Sequence, residues 1–591
     1  MRLWSGLVLL AGALSATAFV SNVDDTGNVR RWKLESLEAD DIHTNVVNRS
    51  TGAIRYSLAS DAFSTANTKA ELNAVRAAFA QWQAVPGSRL KFEEGGLAAP
   101  GVAVAYDHTN VVFWAKQSTL INVDGHQEDI RGFPSVTYVY KYDDNNTIVE
   151  ADIVLNAVEF NWQTEFQAGR DFPVNTLWVE ATALHEIGHL LGLEHSPVGG
   201  ATMLWQELGG VGVTPRAGLS SDETNAVCHL YPSANQPPRL GTLSGQVRLG
   251  ATGAFGAAVF AEDAAGNVVA GTVTQTDGTY ELPALPAGSY GVRVSPLDPA
   301  SALQLQSLVR GKDIYDRYTN AMTSFLPTTN RVAVLAGGAT STVNFNLTGG
   351  EPPFRIFGIL PPTANPEVRV VIRTPVSLGR GQSNVFVGVY GPSLPTNNVK
   401  LTISGDGVSV GETVAQRGPL DGLVLVRAPV AVATNATPGL RTFVVQQGTN
   451  LAYANGFLEI APPFPDWNFD GLDDQFQRRY FPLFTAAEAG PEADPDGDGF
   501  SNRSECQAGT DPTNAHSFPF RITGLKPTST GTTITFLSGL KDRFQVLSRP
   551  DLASGSWQPV GLPVQPTSTN SQYADPSATN GSRFYQVEAL P

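Results

Sequence analysis

Three of the chain's eight histidines, His185, His189 and His195, stand within eleven residues of one another. On a helix, residues four apart lie on one face, so the imidazoles of His185 and His189 can reach the same cation. Gly192 can adopt the left-handed conformation that ends a helix, and the turn would bring in His195 as a third ligand. Three neutral imidazoles with one open position are typical of catalytic zinc, whereas structural zinc is usually closed by four protein ligands. The spacing therefore predicts a catalytic zinc site.

Glu186 directly follows the first histidine and is the expected general base. Zinc lowers the pKa of a bound water to about 7, and an adjacent carboxylate can take the water's proton and pass it to a leaving amine. Taken alone, His, Glu and His on a helix could be ordinary surface polarity, because the short pattern recurs by accident. The longer pattern with Gly192 and His195 is much harder to obtain by chance in a chain with 8 His and 58 Gly.

A helix and a sheet must position these residues. The helix is predicted to start near Asn175 or Thr176, either of which can cap it. It should bury a stripe of apolar and small residues at spacings of four and three: Leu177, Ala181, Leu184, Gly188 and Leu191. The patterning also predicts strands at 54–58, 111–114, 135–140 and 151–155, and helices at 69–82 and 222–231. The N-terminal region should therefore be an α/β domain with a mixed sheet.

Length and composition indicate several β-rich domains. A chain of 591 residues is too long for one core, and about 150 residues per domain suggests about four domains. Only 16% of residues are charged, and 58 Gly and 40 Pro favour short strands and turns. The net charge of −16 argues against nucleic acid or an anionic membrane surface as a partner, because both require basic patches.

Residues 1–18 are predicted to be a secretory signal peptide, with a positive start, a short apolar core and a small-residue cleavage site. No other apolar run approaches the length that spans a bilayer, so the protein is expected to be secreted and not membrane-spanning. Cys228 and Cys506 are the only cysteines, and they fall in segments expected to form different domains. A disulfide framework is therefore not expected.

The sequence from His185 onwards resembles the metzincin zinc peptidases, and within them the matrixins, the matrix metalloproteinase-like family. The resemblance rests on the motif HEIGHLLGLEH, on Ser196 after the third histidine, and on Met203 eight residues further on. It extends to the segments AFAQW, ADIVLN and LSSDETNAVCHLYP and covers about residues 30–232. It implies an α/β (α+β) catalytic domain over residues 19–234, and a Met-turn that places Met203 beneath the metal as a hydrophobic floor.

Three departures from the matrixin pattern stand out. Leu204 and Trp205 occupy positions where the family usually has Tyr-Pro, so the resemblance does not predict the wall of the specificity pocket. No cysteine precedes His185, so the family's cysteine-switch propeptide is missing. His108 and His126 lack the His-x-Asp spacing of the family's structural zinc site, and solvent-exposed loop histidines are the better interpretation.

The rest of the chain is predicted to be largely β-structured. Residues 240–349 alternate as short strands joined by Gly-Asn, Asp-Gly and Pro-Ala-Gly turns, and look like the carboxypeptidase-regulatory-like β-sandwich. A structural role is favoured there over carbohydrate or protein binding. Residues 351–461 are interpreted as an immunoglobulin-like β domain and residues 517–591 as a small C-terminal β domain.

A second metal site is predicted within the segment 464–516. The ligands of a calcium loop at positions 1, 3, 5, 7, 9 and 12 would be Asp494, Asp496, Asp498, Phe500, Asn502 and Glu505, with Gly499 at the sharp turn. An upstream half-match places Gln477 where a bidentate Glu is preferred. The segment resembles thrombospondin type 3 or dockerin-like repeats, and the alternative is an acidic, turn-rich linker.

These observations predict a multidomain protein, with a metzincin catalytic domain followed by all-β sandwich modules and a calcium-loop segment. The expected function is secreted zinc-dependent endopeptidase, with Zn²⁺ and Ca²⁺ as metals and an extracellular polypeptide as substrate. The alternative is a cell-surface adhesion or matrix-binding protein whose peptidase domain is vestigial, with contacts through the β modules. Intact Glu186 and an intact histidine set favour the first interpretation.

Overall fold

The chain divides into two units, Met1–Pro463 and Phe464–Pro591. The computed structural model describes residues 29–34, 46–142, 145–164, 176–204, 218–234, 240–297, 321–368, 370–418, 422–540, 542–553, 555–578 and 582–590. The predicted signal peptide, Asn175 and Trp205 lie outside these residues. None of the helices in the described ranges is long and apolar enough to cross a membrane.

The N-terminal region is a mixed sheet covered by helices. Its strands are β1 Arg31–Trp32, β2 Ile54–Ala59, β3 Phe92–Ala98, β4 Val111–Ala115, β5 Leu120–Val123, β6 His126–Asp129, β7 Ser135–Lys141, β8 Thr147–Asn156, β9 Asn161–Gln163 and β10 Thr176–Trp178. Its helices are α1 Thr68–Ala84, α2 Val179–Leu190 and α3 Ser221–Leu230. The predicted helices at 69–82 and 222–231 and the four predicted strands are confirmed.

The main sheet has the order β1-β8-β4-β2-β3 with parallel pairing, and β7 also pairs with β8, in the antiparallel direction. Strand β8 is buried along nearly its whole length, as expected for a strand with neighbours on both sides. Helix α1 buries Leu72, Val75, Phe79 and Trp82 and packs against α2. Strand β7 lies at the edge of the sheet, beside α2.

Helix α2 starts later than predicted. Residues Thr176–Trp178 form β10, which pairs in parallel with β9, and the helix begins at Val179 with no side-chain cap. The predicted start near Thr176 is therefore wrong, because strand pairing takes up the backbone that a capped helix would use. Leu177 is still buried, but within the strand, and Ala181 is half-buried.

Two β modules follow in the same unit. The first β module contains β11 Gly241–Leu249, β12 Thr252–Gly253, β13 Ala257–Glu262, β14 Val268–Val273, β15 Thr279–Leu285, β16 Gly288–Pro296, β17 Arg331–Leu335, β18 Thr340–Thr342 and β19 Phe345–Asn346. One of its sheets has the order β12-β11-β15 with β18 and β19 on β11, and the other has the order β14-β13-β16-β17. This is the predicted β-sandwich.

The second β module contains β20 Gly358–Thr363, β21 Val376–Leu378, β22 Val385–Pro392, β23 Lys400–Ile403, β24 Val408–Val410, β25 Val414–Arg417, β26 Leu423–Val432, β27 Gly439–Gln447 and β28 Asn450–Ile460. Its sheets are β20-β22-β26-β24, with β25 on β26, and β21-β28-β27-β23. Buried apolar residues of both sheets form one core, which includes Val387, Val389, Phe443 and Leu458.

The C-terminal unit carries two short helices and a small β domain. The helices are α4 Asp474–Tyr480 and α5 Asn502–Ala508, with a 3₁₀ turn at Ala487–Ala489. The strands β29 Ile522–Thr528, β30 Gly531–Leu537, β31 Arg543–Arg549, β32 Gln558–Pro559, β33 Asn570–Asp575 and β34 Phe584–Leu590 form two three-stranded sheets. The multidomain fold class predicted from the sequence is thereby confirmed.

Candidate metal centre

The three predicted histidine ligands meet at one point. Ring centroids are 4.9 Å apart for His185 and His189, 5.2 Å for His185 and His195, and 4.9 Å for His189 and His195. The two Nε2 atoms on α2 lie 3.2 Å apart, and one ring nitrogen from each of the three residues falls within 4.8 Å of the others. Neutral imidazoles at this separation suit a tetrahedral zinc ion.

Gly192 makes the turn that brings in the third histidine. Its φ is +98°, in the left-handed region, and the amide of Leu193 donates to the carbonyl of Gly188 over 3.0 Å. A Cβ at Gly192 would overlap the carbonyl of Arg30, so a larger residue is excluded by contact as well as by conformation. The predicted role of Gly192 in ending the helix is confirmed.

Backbone carbonyls orient two of the rings. Nδ1 of His185 lies 2.8 Å from the carbonyl oxygen of Thr202, and Nδ1 of His189 lies 2.8 Å from that of Leu193. A ring that donates from Nδ1 presents an unprotonated Nε2, which is the form that binds a metal. Burial and the neighbouring His185 lower the pKa of His189, which favours the same neutral form.

Glu186 is buried at 3% exposure and is held by two hydroxyl groups from the edge strand β7. Ser135 Oγ donates to Glu186 Oε1 over 2.6 Å, and Thr137 Oγ1 donates to Glu186 Oε2. A carboxylate has about four acceptor positions, so these bonds leave capacity for a water. Ser135 and Thr137 were not among the predicted site residues, although two hydroxyl residues at alternate positions of a predicted strand share one face.

Met203, the residue that the resemblance places beneath the metal, packs against the histidine helix. Its sulfur packs so closely on Gly188 that a Cβ there would overlap it. The Met203 amide donates to Glu223 Oε1 over 2.9 Å, and its carbonyl accepts from the amide of Ser196 over 2.8 Å. Glu223 also closes a capping box with Ser220 at the start of α3. The segment that carries Met203 is thereby joined to α3.

Three buried aromatic side chains donate hydrogen bonds to carbonyls of α2 and of Leu191, the residue that ends it. Trp82 Nε1 donates to the carbonyl of Leu184 over 2.9 Å, and Trp32 Nε1 donates to that of Leu190 over 2.8 Å. The hydroxyl of Tyr231 donates to the carbonyl of Leu191 over 2.8 Å and accepts from the amide of Trp32 over 3.0 Å. The carbonyls of Leu190 and Leu191 lie at the end of the helix, where carbonyls lack intrahelical partners, and these bonds satisfy them.

His108 and His126, two of the five histidines outside the motif, take no part in this centre. His108 is half-buried with φ +65°, and its backbone amide donates to Glu150. His126 is exposed but begins strand β6, so its expected place in a loop is wrong. Neither belongs to a group of three or more potential ligands in the parts of the chain that the structure describes.

Three acidic residues of the predicted calcium loop also lie close together. Carboxylate oxygens of Asp494, Asp496 and Asp498 lie within 4.8 Å of one another, and Gly499 turns the chain at φ +95°. Four side-chain oxygens are buried without a hydrogen-bond partner: Asp496 Oδ2, Asp498 Oδ2, Asn502 Oδ1 and Glu505 Oε2. Uncompensated buried oxygens are costly, and a hard cation such as Ca²⁺ would satisfy them.

The same crowding of acids affects their ionisation. Burial and the charges of Asp498, Asp496 and Asp494 raise the pKa of Glu505 to about 8, and burial with its acidic neighbours raises that of Asp498 to about 6. The upstream half-match differs, because Asp470 Oδ2 accepts hydrogen bonds from Gln477 over 2.8 Å and Asn468 over 3.0 Å. Its amide groups already provide partners that a cation would provide in the downstream loop.

Comparison with known families follows the order of domains along the chain. Residues 48–232 match the family model Matrixin. Residues 242–314 match the Carboxypeptidase regulatory-like domain, and residues 494–515 match the Bacterial TSP3 repeat. The predicted architecture is confirmed. The matrixin match supports a metallopeptidase family that uses zinc, and the TSP3 match indicates calcium; both domains are typical of extracellular proteins.

No curated protein matches the chain. Among solved structures, the major pilin subunit of Bacillus cereus is 10% identical with a TM-score of 0.14, over 38% of this chain and 69% of that one. A putative carbohydrate binding protein from Bacteroides uniformis is 10% identical with a TM-score of 0.13, over 36% of this chain and 96% of that one.

Proposed function

We propose that the protein is a secreted zinc endopeptidase that hydrolyses peptide bonds of extracellular polypeptides. The observation that carries the proposal is the convergence of His185, His189 and His195, with Glu186 one residue from the first ring on the same buried helix. We assign the three histidines as zinc ligands and Glu186 as general base. We further assign Ca²⁺ to the loop that begins at Asp494.

Each part of the site has a defined task in this proposal. Zinc held by His185, His189 and His195 would supply a water activated to a pKa of about 7 and would polarise the scissile carbonyl. Glu186 takes the water's proton on its carboxylate and delivers it to the nitrogen of the leaving amine. Ser135 and Thr137 hold that carboxylate in place through their hydroxyl groups. Met203 gives the site an apolar floor.

The experiment that tests this function compares the zinc-loaded wild type with Glu186→Ala. Both proteins should retain zinc by metal analysis, because Glu186 is not a proposed ligand, and only the wild type should cleave casein or gelatin. Equal cleavage by both proteins would overturn the assignment of the base. Zinc binding without cleavage of any polypeptide by the wild type would favour the adhesion protein with a vestigial peptidase domain.

A further inference from the structure

The loop from Ser196 to Met203, called the ligand loop below, shapes the metal centre from one side. It starts directly after His195, and its Thr202 carbonyl holds the ring of His185 at 2.8 Å. Its two ends are joined by the bond from the Ser196 amide to the Met203 carbonyl. A shift of this loop would therefore displace one proposed ligand and release the orientation of another.

The outer side of the ligand loop is covered by the two β modules. Val198, at its tip, is fully buried in an apolar cluster formed by both modules. The cluster includes Phe260 of β13, Val268 of β14 and Leu440 of β27. The amide of Gly199 donates to the carbonyl of Asn455 in β28 over 2.8 Å. The loop thus packs into an apolar pocket, called the seat, which is formed by strands of both modules that lie up to some 260 residues later in sequence.

Gly199 and Gly200 show how closely the seat fits. Neither has φ in the left-handed region, so the backbone at both positions can accommodate alanine. A Cβ at Gly199 would nevertheless overlap the ring of Phe457, and a Cβ at Gly200 would overlap the side chain of Leu440. The second β module, rather than the local turn, is what excludes a side chain at these two positions.

A polar contact reinforces the apolar seat. Asp222 of α3 accepts the Ser196 hydroxyl on Oδ2 over 2.7 Å and the Gly271 amide of β14 on Oδ1 over 2.8 Å. One buried carboxylate therefore joins the start of the ligand loop to the first β module. Asn225 of α3 adds a second bond, from its Nδ2 to the carbonyl of Val269 over 3.0 Å.

Buried polar contacts of Arg293 also join the two modules next to this seat. Arg293 of the first module is 1% exposed and pairs with Glu262 over 2.7 Å. Its guanidinium also donates to Asn455 Oδ1 over 2.9 and 2.6 Å and to Thr442 Oγ1 over 2.7 Å, both in the second module. A buried charge satisfied on this many sides fixes one geometry, because breaking any one contact leaves a buried group unpaired.

We propose that the two β modules brace the peptidase centre, with Phe457 and Leu440 as positioning residues that hold the ligand loop in its metal-binding conformation. The modules are then part of the working enzyme rather than spacers. This proposal rests on the assignment of the histidines as zinc ligands. It adds that zinc affinity depends on side chains of the second β module that touch no ligand.

The test is a double substitution in the full-length protein. Gly199→Ala should weaken zinc binding about 10- to 100-fold in competition with a chelator, the range seen when groups supporting metal ligands are lost. Phe457→Ala removes the ring that blocks the added methyl group, and it should weaken zinc binding less than Gly199→Ala does. The double variant should bind zinc close to the level of Phe457→Ala alone. The proposal is overturned if the double variant binds zinc no more tightly than Gly199→Ala does. It is also overturned if Gly199→Ala binds zinc as tightly as the wild type.

Two matched controls separate positioning from general destabilisation. Phe386→Ala removes another half-buried phenylalanine of the same module, one whose ring faces Arg427. Gly288→Ala adds a methyl group whose nearest neighbour is the Tyr290 ring at 3.6 Å. Both should keep wild-type zinc affinity. If Gly199→Ala fails to fold, the comparison of Phe457→Ala with Phe386→Ala decides, and equal zinc affinities would overturn the proposal.

The outcome also distinguishes this inference from the proposed function. If the wild type binds zinc with the expected pattern among variants but cleaves nothing, the brace stands and the peptidase assignment fails. If the wild type cleaves polypeptide in a manner that requires Glu186, but Phe457→Ala binds zinc as tightly as the wild type, the peptidase assignment stands. The proposal that the β modules position the ligand loop is then wrong.

Discussion

Replacing Thr137 with valine tests how the proposed general base is held. Thr137 Oγ1 donates to Glu186 Oε2, and Ser135 Oγ donates to the other oxygen over 2.6 Å. Valine keeps the β-branched shape that suits strand β7 and removes only the hydroxyl group. Ser135→Ala does the same for the second bond. Both variants should lower kcat with little change in KM, because neither hydroxyl is expected to bind the substrate.

The expected size follows from the bonds that are lost. A hydrogen bond to a charged group is worth about 1.5–3 kcal/mol, which corresponds to about 10- to 150-fold in rate. Because each single variant leaves the other hydroxyl bonded to Glu186, a loss near the lower end, about tenfold, is expected. Glu186→Ala removes the base itself and should lose about 10²–10⁴-fold. The hydroxyl variants must therefore fall between wild type and Glu186→Ala.

The assay is steady-state cleavage of a quenched fluorogenic peptide, with zinc content measured for every protein. Tyr138→Phe is the matched control, because its hydroxyl bonds to Glu128 over 3.2 Å on the other face of the same strand. This control should keep wild-type kcat. The reasoning is refuted if Thr137→Val matches Tyr138→Phe, or if its loss of activity disappears once zinc occupancy is equalised.

Three further predictions concern stability. Tyr231→Phe leaves the carbonyl of Leu191 without its buried donor and should lower the free energy of unfolding by about 1–3 kcal/mol in urea; an unchanged midpoint would contradict this. Burial raises the pKa of Glu150 to about 7 and of Asp152 to about 8, so the folded state retains protons that the unfolded chain releases near pH 4. The contribution of these two groups to the free energy of unfolding should therefore be complete below about pH 4 and should fall as the pH rises towards 8. Asp152→Asn should show a smaller dependence on pH. Urea midpoints that change with pH equally in both proteins would contradict this prediction. Calcium at about 100 times its Kd should stabilise the C-terminal unit by about 2.7 kcal/mol in thermal melting and should have no effect on Asp498→Ala; wild-type melting that ignores a chelator would contradict this.

The sequence was sufficient for those parts of the site that depend on neighbours along the chain. The one-turn spacing of His185 and His189 and the left-handed Gly192 follow from helix geometry, and the structure has both. The periodicity of 69–82 likewise predicted α1 to within two residues at each end. Local periodicity of this kind reports which face of an element is buried, and it reports nothing about the partner.

Features that depend on partners distant in sequence were missed for that reason. The start of α2 is set by pairing between β9 and β10 rather than by a capping residue. The hydroxyl donors to Glu186 come from a strand about 50 residues earlier. Phe457 reaches the ligand loop from more than 250 residues away, so nothing near Gly199 indicates why glycine is needed there.

Cleavage-site profiling tests the central claim most directly. The zinc-loaded wild type and Glu186→Ala would each be incubated with a complex mixture of native proteins, and new peptide N-termini would be identified by mass spectrometry. A zinc endopeptidase with Glu186 as its base should generate a reproducible set of internal cleavages that is absent from the variant and from chelator-treated wild type. Identical termini from both proteins, or none from either while zinc is bound, would contradict the account.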